Sequence, residues 1–156
     1  MGLGRVIRRR GEIRVRLHAD EREVLRAVLG QLRDAITSGG DDPVLERLFP
    51  PAYLDDEDAE KEAGYQVLAR QELVDSQLAA IDGVTASLDR DRLDDDSAAA
   101  WMRSLNALRL VLGTRLDVRE DDEPDLDPAD PDTPVWHLYF FLSALVDDLV
   151  DVLSRD

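Results

Sequence analysis

Cysteine is absent from this chain of 156 residues, and lysine occurs once, at Lys61. Without cysteine the chain can form no disulfide, no thiolate nucleophile and no cysteine-ligated metal site, and a cytoplasmic location is the expectation. No run of residues approaches the roughly 18 consecutive apolar residues of a membrane span, and the first residues lack the apolar stretch of a signal peptide. The sequence therefore predicts a soluble protein that has no membrane partner.

The charge of the chain is strongly negative and unevenly distributed. Asp and Glu number 35 against 19 Lys and Arg, which gives a formal net charge of −16. Residues 1–17 hold six arginines and one glutamate, so this segment carries +5 and the remaining 139 residues carry −21. Because DNA affinity comes largely from neutralising phosphates, the acidic body would repel a duplex. Any contact with nucleic acid would have to come from the N-terminal segment.

The length and the 44% share of hydrophobic residues are sufficient for one domain with its own core, over residues 1–156. We expect a mainly α fold in which an N-terminal β-hairpin packs on a bundle of about four to five helices. Its parts would be a basic hairpin over 1–17, helices over 20–116, an acidic loop over 117–132 and a C-terminal helix over 134–155.

The hairpin prediction rests on strict alternation. Ile13, Val15 and Leu17 alternate with arginines, and Gly11 is the expected turn residue. One face would pack on the domain and the other would expose its arginines to water. Three uses of these arginines stay open: contacts to phosphates along a DNA groove, binding of an acidic protein partner, and protection of a strand edge. The candidate binding residues are Arg8, Arg9, Arg10, Arg14 and Arg16.

The sequence predicts three helices before residue 90, and the first and third of them show helical spacing of apolar residues. The first would begin at an Asp20 N-cap, with Leu25, Leu29, Leu32 and Ile36 on one face. A short helix from Asp42-Pro43 would end at Pro50-Pro51. A long helix would begin near residues 55–58, and four of its residues lie seven apart and are expected in the bundle core rather than in a zipper to another chain. These four are Val67, Val74, Ile81 and Leu88.

Two further helices are more apolar. Asp94 and its neighbours would cap a helix whose stripe begins at Trp101, and apolar residues on its other sides predict that it is central. Polar side chains in or beside this helix need partners, which an internal ion pair or an interface would supply. A Thr133 N-cap would begin the last helix. The candidates for interface or structural roles are Trp101, Asn106, Arg109, Arg115, Trp136 and Phe140.

Catalytic and cofactor-binding motifs are missing. His18 and His137 lie at the starts of different helices without a second metal ligand at helical spacing, and no nucleotide-binding or nucleophile motif occurs. The aspartates of the acidic loop lack the glycine and the glutamate of an EF-hand, and Pro128 and Pro131 interrupt them. We expect a solvated linker there, no cofactor, no metal and no enzymatic activity.

Two stretches carry a resemblance to a known family. One is Leu-Phe-Pro-Pro-Ala-Tyr at residues 48–53, and the other is Trp-Met-Arg-Ser-Leu-Asn-Ala-Leu-Arg-Leu-Val-Leu-Gly-Thr-Arg-Leu at residues 101–116. With the following acidic segment and the apolar last helix, the chain resembles the actinobacterial oxidative-stress transcriptional regulators called AosR. The resemblance implies a cytoplasmic regulator that acts on transcription with an alternative sigma factor. Family members sense oxidation through an N-terminal cysteine pair, which this chain lacks, so thiol-based sensing is chemically impossible here.

Two functions compete at this point. The preferred one is a non-enzymatic, transcription-associated regulator of a stress response that binds a protein partner such as an alternative sigma factor, with DNA contacts from the basic hairpin as a weaker addition. The alternative is a protein-interaction adaptor or scaffold, for example in regulated proteolysis, that does not bind DNA. Apolar surface in excess of one stripe, over 101–112 and 135–153, also predicts a homodimer.

Overall fold

The computed structural model describes residues 4–38, 59–116 and 127–154. The mainly α architecture with an N-terminal hairpin packed on the helices is confirmed. The short helix expected over 42–50 and residues 117–126 of the expected acidic loop lie outside the described residues. The elements in chain order are β1 (Val6–Arg9), β2 (Glu12–Val15), α1 (Ala19–Ser38), α2 (Ala59–Ser87), β3 (Arg92–Leu93), α3 (Asp95–Leu116) and α4 (Thr133–Ser154).

The hairpin turns on two residues in the left-handed region. Arg10 has a φ of 54° and Gly11 a φ of 79°, the arrangement of a two-residue turn whose twist matches the strands. In the antiparallel pair, Val6 lies opposite Val15. The sequence did not predict β3, which pairs with β2 through Leu93 and Ile13, because two residues are too few for a periodic pattern.

Two of the three helix starts differ from the predictions. The backbone N–H of His18 donates to Glu21 Oε1 at 2.9 Å, so His18 caps α1 and the Asp20 prediction is wrong by two residues. The N–H of Trp136 donates to the carbonyl of Asp132 at 3.0 Å, so α4 begins one residue earlier than expected. The Asp94 cap of α3 is confirmed, because its Oδ1 accepts the N–H of Ser97 at 2.6 Å.

Helix α3 is the central element, as predicted. It packs between α2 and α4, while α1 packs on α2 and α3, and the sheet contacts α3 and α4. Side chains from all seven elements form one core. The largest fully buried residues include Trp101, Leu105, Leu142, Leu145, Leu149, Leu25, Leu29 and Ile81.

Trp101 joins α3 to α2 by a hydrogen bond inside this core. Its ring is fully buried, and its indole N–H donates to Ser87 Oγ at 2.8 Å. The Ser87 hydroxyl in turn donates to the carbonyl of Gly83 at 2.8 Å, so its hydrogen-bonding capacity is satisfied without water. Of the two possible roles for Trp101, interface or structure, the packing supports structure.

The heptad positions of α2 are core positions only in the second half of the helix. Ile81 and Leu88 are buried, Val74 is half-buried, and Val67 is 70% exposed. The prediction of Val67 as core is wrong within the described part of the chain. The neighbouring Leu68 is 66% exposed, so among the described side chains of α2 the core contacts begin at Val74.

Replacing the two tryptophans compares a core residue with a half-buried one. We expect Trp101→Ala to lower the free energy of unfolding by about 3–5 kcal/mol, because it leaves a cavity and removes the donor to Ser87. Trp136→Ala, at a half-buried position, should cost clearly less. Urea unfolding followed by far-ultraviolet circular dichroism measures both, and equal losses would contradict the central position of Trp101.

Candidate interaction surfaces

The hairpin arginines do not form one free basic face. Arg8 is half-buried, and its guanidinium donates from Nε to the carbonyl of Val152 at 3.1 Å, from Nη1 to that of Gly11 at 3.2 Å and from Nη2 to Asp95 Oδ1 at 3.2 Å. A cation is favourable beside the last carbonyls of a helix, which have no partner within the helix. Arg8 therefore fastens the turn to the end of α4. The expectation that it lies in water is wrong.

Of the other hairpin arginines, one forms an ion pair and three are exposed. Arg14 is half-buried and forms an ion pair with Glu12 at 3.1 Å. Arg9, Arg10 and Arg16 are exposed. At about 3.3 Å per residue, Arg10 at the turn and Arg16 beyond β2 lie roughly 20 Å apart along the strand. The hairpin thus presents two separate basic points and no continuous track for phosphates.

The base of the hairpin is fixed by Asp148 of α4. This carboxylate accepts the backbone N–H groups of Arg5 at 2.8 Å and Val6 at 3.3 Å. A Cβ atom at Gly4 would lie 2.8 Å from the Asp148 carboxylate, so a larger residue there would have to displace this side chain.

Arg5 links the hairpin to the start of α1. Its Nε donates to Glu21 Oε2 at 2.8 Å, and its Cζ lies 4.9 Å from the centroid of the Phe141 ring, a cation–π contact. Burial raises the pKa of Glu21, but the hydrogen bonds from the His18 N–H and from Arg5 together outweigh it and hold the pKa below its ordinary value. Glu21 is therefore charged at neutral pH, and it both caps α1 and forms the ion pair with Arg5.

A groove of about 680 Å³ lies along the face of α3 that neither α1 nor the sheet covers. One side is formed by Gln77 of α2 and the other by Val146 and Val150 of α4. We call it the α3 groove and define it by its ten lining residues. These are Gln77, Ala99, Met102, Arg103, Asn106, Ala107, Arg109, Leu110, Val146 and Val150.

The α3 groove combines apolar surface with cations. Met102 and Leu110 are half-buried, and Val150 is 50% exposed. Arg103 donates to Ser76 Oγ, and Arg109 Nη2 donates to Asn106 Oδ1 at 2.7 Å. The internal ion pair expected for Arg109 is thus replaced, among the described residues, by a bond to an amide.

An aromatic cluster lies near the start of α4, on the helix that forms one side of the groove. The ring centroids of Trp136 and Tyr139 are 6.0 Å apart, and those of Trp136 and Phe140 are 5.8 Å apart. Tyr139 precedes Val146 by seven residues and Val150 by eleven, so all three lie on one helical face. Phe140 is 43% exposed. Arg115, the remaining candidate, is exposed in the last turn of α3 and does not line the groove.

Residues 4–153 match a family model described as a domain of unknown function, DUF2017. The chain belongs to this family. It is 31% identical over 127 residues to proteins named oxidative stress regulator AosR from Mycobacterium bovis and from two strains of Mycobacterium tuberculosis. The aligned region is 72% of this chain and 58% of the relatives, so the chain spans little more than half their length. The resemblance to AosR is confirmed, and no solved structure matches the chain.

The described part of this DUF2017 family member contains neither a membrane-spanning helix nor a cluster of metal-ligating side chains. None of the helices within 4–38, 59–116 and 127–154 is both long and apolar enough to cross a membrane. Over the same ranges, no group of three or more His, Asp or Glu side chains is placed to hold a metal ion.

The sequence singled out only part of the α3 groove. Asn106 and Arg109 line it, whereas Trp101 lies in the core. Val150 and Gln77 were missed because each belongs to a different helix, and helical spacing gives no information on which helices are neighbours. The available indications were Met102 and Leu110, two apolar residues outside the main stripe that begins at Trp101.

The structural role of Arg8 predicts unequal effects of two adjacent substitutions. Arg8→Gln should lower the free energy of unfolding by about 1–2 kcal/mol, because it removes donors to two carbonyls. Arg9→Gln, at an exposed position, should change it by less than about 0.5 kcal/mol. Urea midpoints of the two variants test this, and a neutral Arg8→Gln would show that its contacts contribute nothing.

The lowered pKa of Glu21 predicts a pH-dependent contribution to stability. A carboxyl with a folded-state pKa below its unfolded value stabilises the fold above the unfolded value, and this contribution is lost as pH falls through the folded value. Glu21→Gln should therefore lower the urea midpoint at pH 7, and its difference from the parent should shrink below the ordinary pKa of the carboxyl. Glu23→Gln, at an exposed position, is the control. A difference that is constant with pH would contradict the assignment.

Proposed function

We propose that this chain is a non-enzymatic regulator of an oxidative-stress response that acts on transcription by binding a protein partner in the α3 groove. The observation that carries the proposal is the groove itself, in which Met102 and Leu110 of the central helix and Val150 of α4 leave apolar surface uncovered. Exposed apolar surface bordered by polar groups is typical of protein-binding sites. The name of the mycobacterial relatives supports the stress response, and the family resemblance supports an alternative sigma factor as the partner.

The groove is a better partner site than the basic hairpin. Arg8 and Arg14 are already engaged within the protein, and the exposed arginines lie at separated points. The net charge of −16 further opposes binding to a duplex. We therefore propose that Arg9, Arg10 and Arg16 contact DNA only in a secondary role, after a protein partner is bound.

The proposal assigns no catalytic step to the groove. Its hydrogen-bonding side chains are the guanidiniums of Arg103 and Arg109 and the amides of Asn106 and Gln77. Guanidiniums remain protonated near neutral pH and amides do not titrate, so neither acts as a nucleophile or general base there. They suit recognition by hydrogen bonds and charge.

An adaptor or scaffold could use the same groove, and the identity of the partner separates the two functions. Selective capture of a sigma factor favours the regulator, whereas capture of a protease or chaperone subunit favours the adaptor.

The homodimer stays a prediction. The structure weakens the reason for it, because α2 and α4 cover much of the apolar surface of α3. Sedimentation at tens of micromolar measures it directly.

Two exposed valines provide a matched test of the groove. Val150 is 50% exposed in the groove, and Val24 is 45% exposed on α1, away from it. With the purified alternative sigma factors of the host, we expect the parent to bind one of them and Val150→Asp to weaken that binding at least tenfold. Val24→Asp should bind as the parent does.

Biolayer interferometry on the three proteins gives the dissociation constants, and a thermal melt confirms that each variant is folded. If Val150→Asp binds as tightly as the parent while Arg9→Glu with Arg10→Glu abolishes binding, the partner site is the hairpin and the groove assignment is wrong.

A further inference from the structure

The charge of the α3 groove is opposite to that of the protein. Its ten lining residues include Arg103 and Arg109 and no Asp or Glu, in a chain whose net charge is −16. Within residues 4–38, 59–116 and 127–154, no carboxylate lines the groove, which makes it a local basic site on an acidic body.

Other surface arginines of the same protein do find carboxylates. Arg26 pairs with Asp89 at 2.9 Å and Arg33 with Asp82 at 2.8 Å, and both acids lie at or just beyond the end of α2. Among the described residues, Arg103 and Arg109 have no carboxylate within ion-pair distance and donate to neutral oxygens instead. A partner's carboxylates can therefore form ion pairs with both arginines without displacing an internal one.

The two arginines lie on opposite sides of the groove. Arg103 bonds to Ser76, so it points toward α2. Arg109 follows six residues later, which places it about 9 Å farther along α3 and about 120° around the helix, away from α2. Met102 and Leu110 lie between these two directions and supply the apolar floor.

The length of the α3 groove fits a short helix. The groove extends over residues 99–110 of α3, about 16 Å, which matches three turns of a helix.

We propose that the α3 groove binds an amphipathic helix of a partner protein whose apolar stripe is flanked on both sides by Asp or Glu. The proposal rests on the proposed function for the location of the site and adds the chemical class of the ligand. The apolar stripe packs on Met102, Leu110 and Val150, and carboxylates on either flank pair with Arg103 and Arg109. Because the acidic body of the protein repels acidic peptides, their binding needs a local basic site, and the α3 groove combines such a site with an apolar floor.

Three fluorescein-labelled peptides of fifteen residues test the class of ligand. All carry leucine at positions 2, 6, 9 and 13, and the flanking positions are Glu in the first peptide, Gln in the second and Lys in the third. Fluorescence anisotropy with the parent protein should show at least tenfold tighter binding of the Glu peptide than of the Gln peptide. This preference should weaken as salt is added.

Charge reversal in the groove supplies the matched variant. Arg103→Glu with Arg109→Glu should weaken binding of the Glu peptide at least tenfold and strengthen binding of the Lys peptide relative to the parent. Arg115→Glu changes a charge on the same helix outside the groove and should leave the preference intact. If the double variant melts early, Arg103→Gln with Arg109→Gln replaces it and should abolish the preference without reversing it.

Several results would overturn the inference. They are equal binding of the Glu and Gln peptides, no binding of the Glu peptide at millimolar concentration, an unchanged preference in the double variant, or an equal loss in Arg115→Glu. If the Gln peptide binds and Val150→Asp abolishes that binding, the groove is a binding site and only the acidic class is wrong. If Val150→Asp leaves binding of the protein partner unchanged, the proposed function itself fails.

Discussion

The buried guanidinium of Arg22 forms hydrogen bonds with three parts of the fold and so fixes their positions relative to one another. Arg22 is 8% exposed, and its Nε donates to the carbonyl of Leu17 at 3.2 Å, just after β2. Its Nη1 donates to the carbonyls of Leu88 at 2.6 Å and Arg90 at 2.8 Å, at the end of α2. Its Nη2 reaches Asp91, the residue before β3. Without these donors, the carbonyls would be left unpaired in or near the core, at a cost of about 1–3 kcal/mol each.

The α3 groove exists because the other elements of the bundle cover α3 on one side and leave the other side partly uncovered. Arg22 holds α1, the sheet and the end of α2 together, and the Trp101–Ser87 bond fastens α3 to α2. Arg8 and Asp148 attach the hairpin to α4. Of these contacts, the Trp101–Ser87 bond holds the side of α3 that faces the core. The opposite side has only the flanks of α2 and α4 beside it, and this leaves a groove on a rigid support, which suits a binding site.

The parts of the fold that the sequence predicted depend on local pattern. Trp101 was expected in the core because it begins the stripe of the most apolar helix, and the hairpin was expected from the alternation around Val15. The parts that it did not predict depend on which elements are neighbours. Val67 has the heptad spacing of Ile81 but is exposed, and Arg8 was expected in water but contacts the last turn of α4. Residues 8 and 152 are far apart in the chain, and no local pattern indicates that they are in contact.

Arg22 and the α3 groove both show that a sequence pattern does not reveal which elements become neighbours in the fold. Arg22 lies three residues before Leu25 on the apolar face of α1, a position that indicates burial, yet all its acceptors except Leu17 come from a chain segment more than sixty residues away. Asn106 and Arg109 could be singled out as polar residues in an apolar helix, but the groove exists only once Gln77 and Val150 flank them. Sequence therefore identified the polar residues of the site and tertiary packing determined what they form.

The methyl signal of Met102 tests most directly whether ligands bind in the α3 groove. The chain has two methionines, and Met102 lines the groove, so ¹³C-methyl-methionine labelling places a single reporter at the site. During titration with the Glu-flanked leucine peptide, the Met102 signal should shift saturably in the parent and in Val24→Asp, and the shift should be lost in Val150→Asp. A Met102 signal that stays unchanged while anisotropy reports binding would show that the peptide binds elsewhere, and would contradict the account.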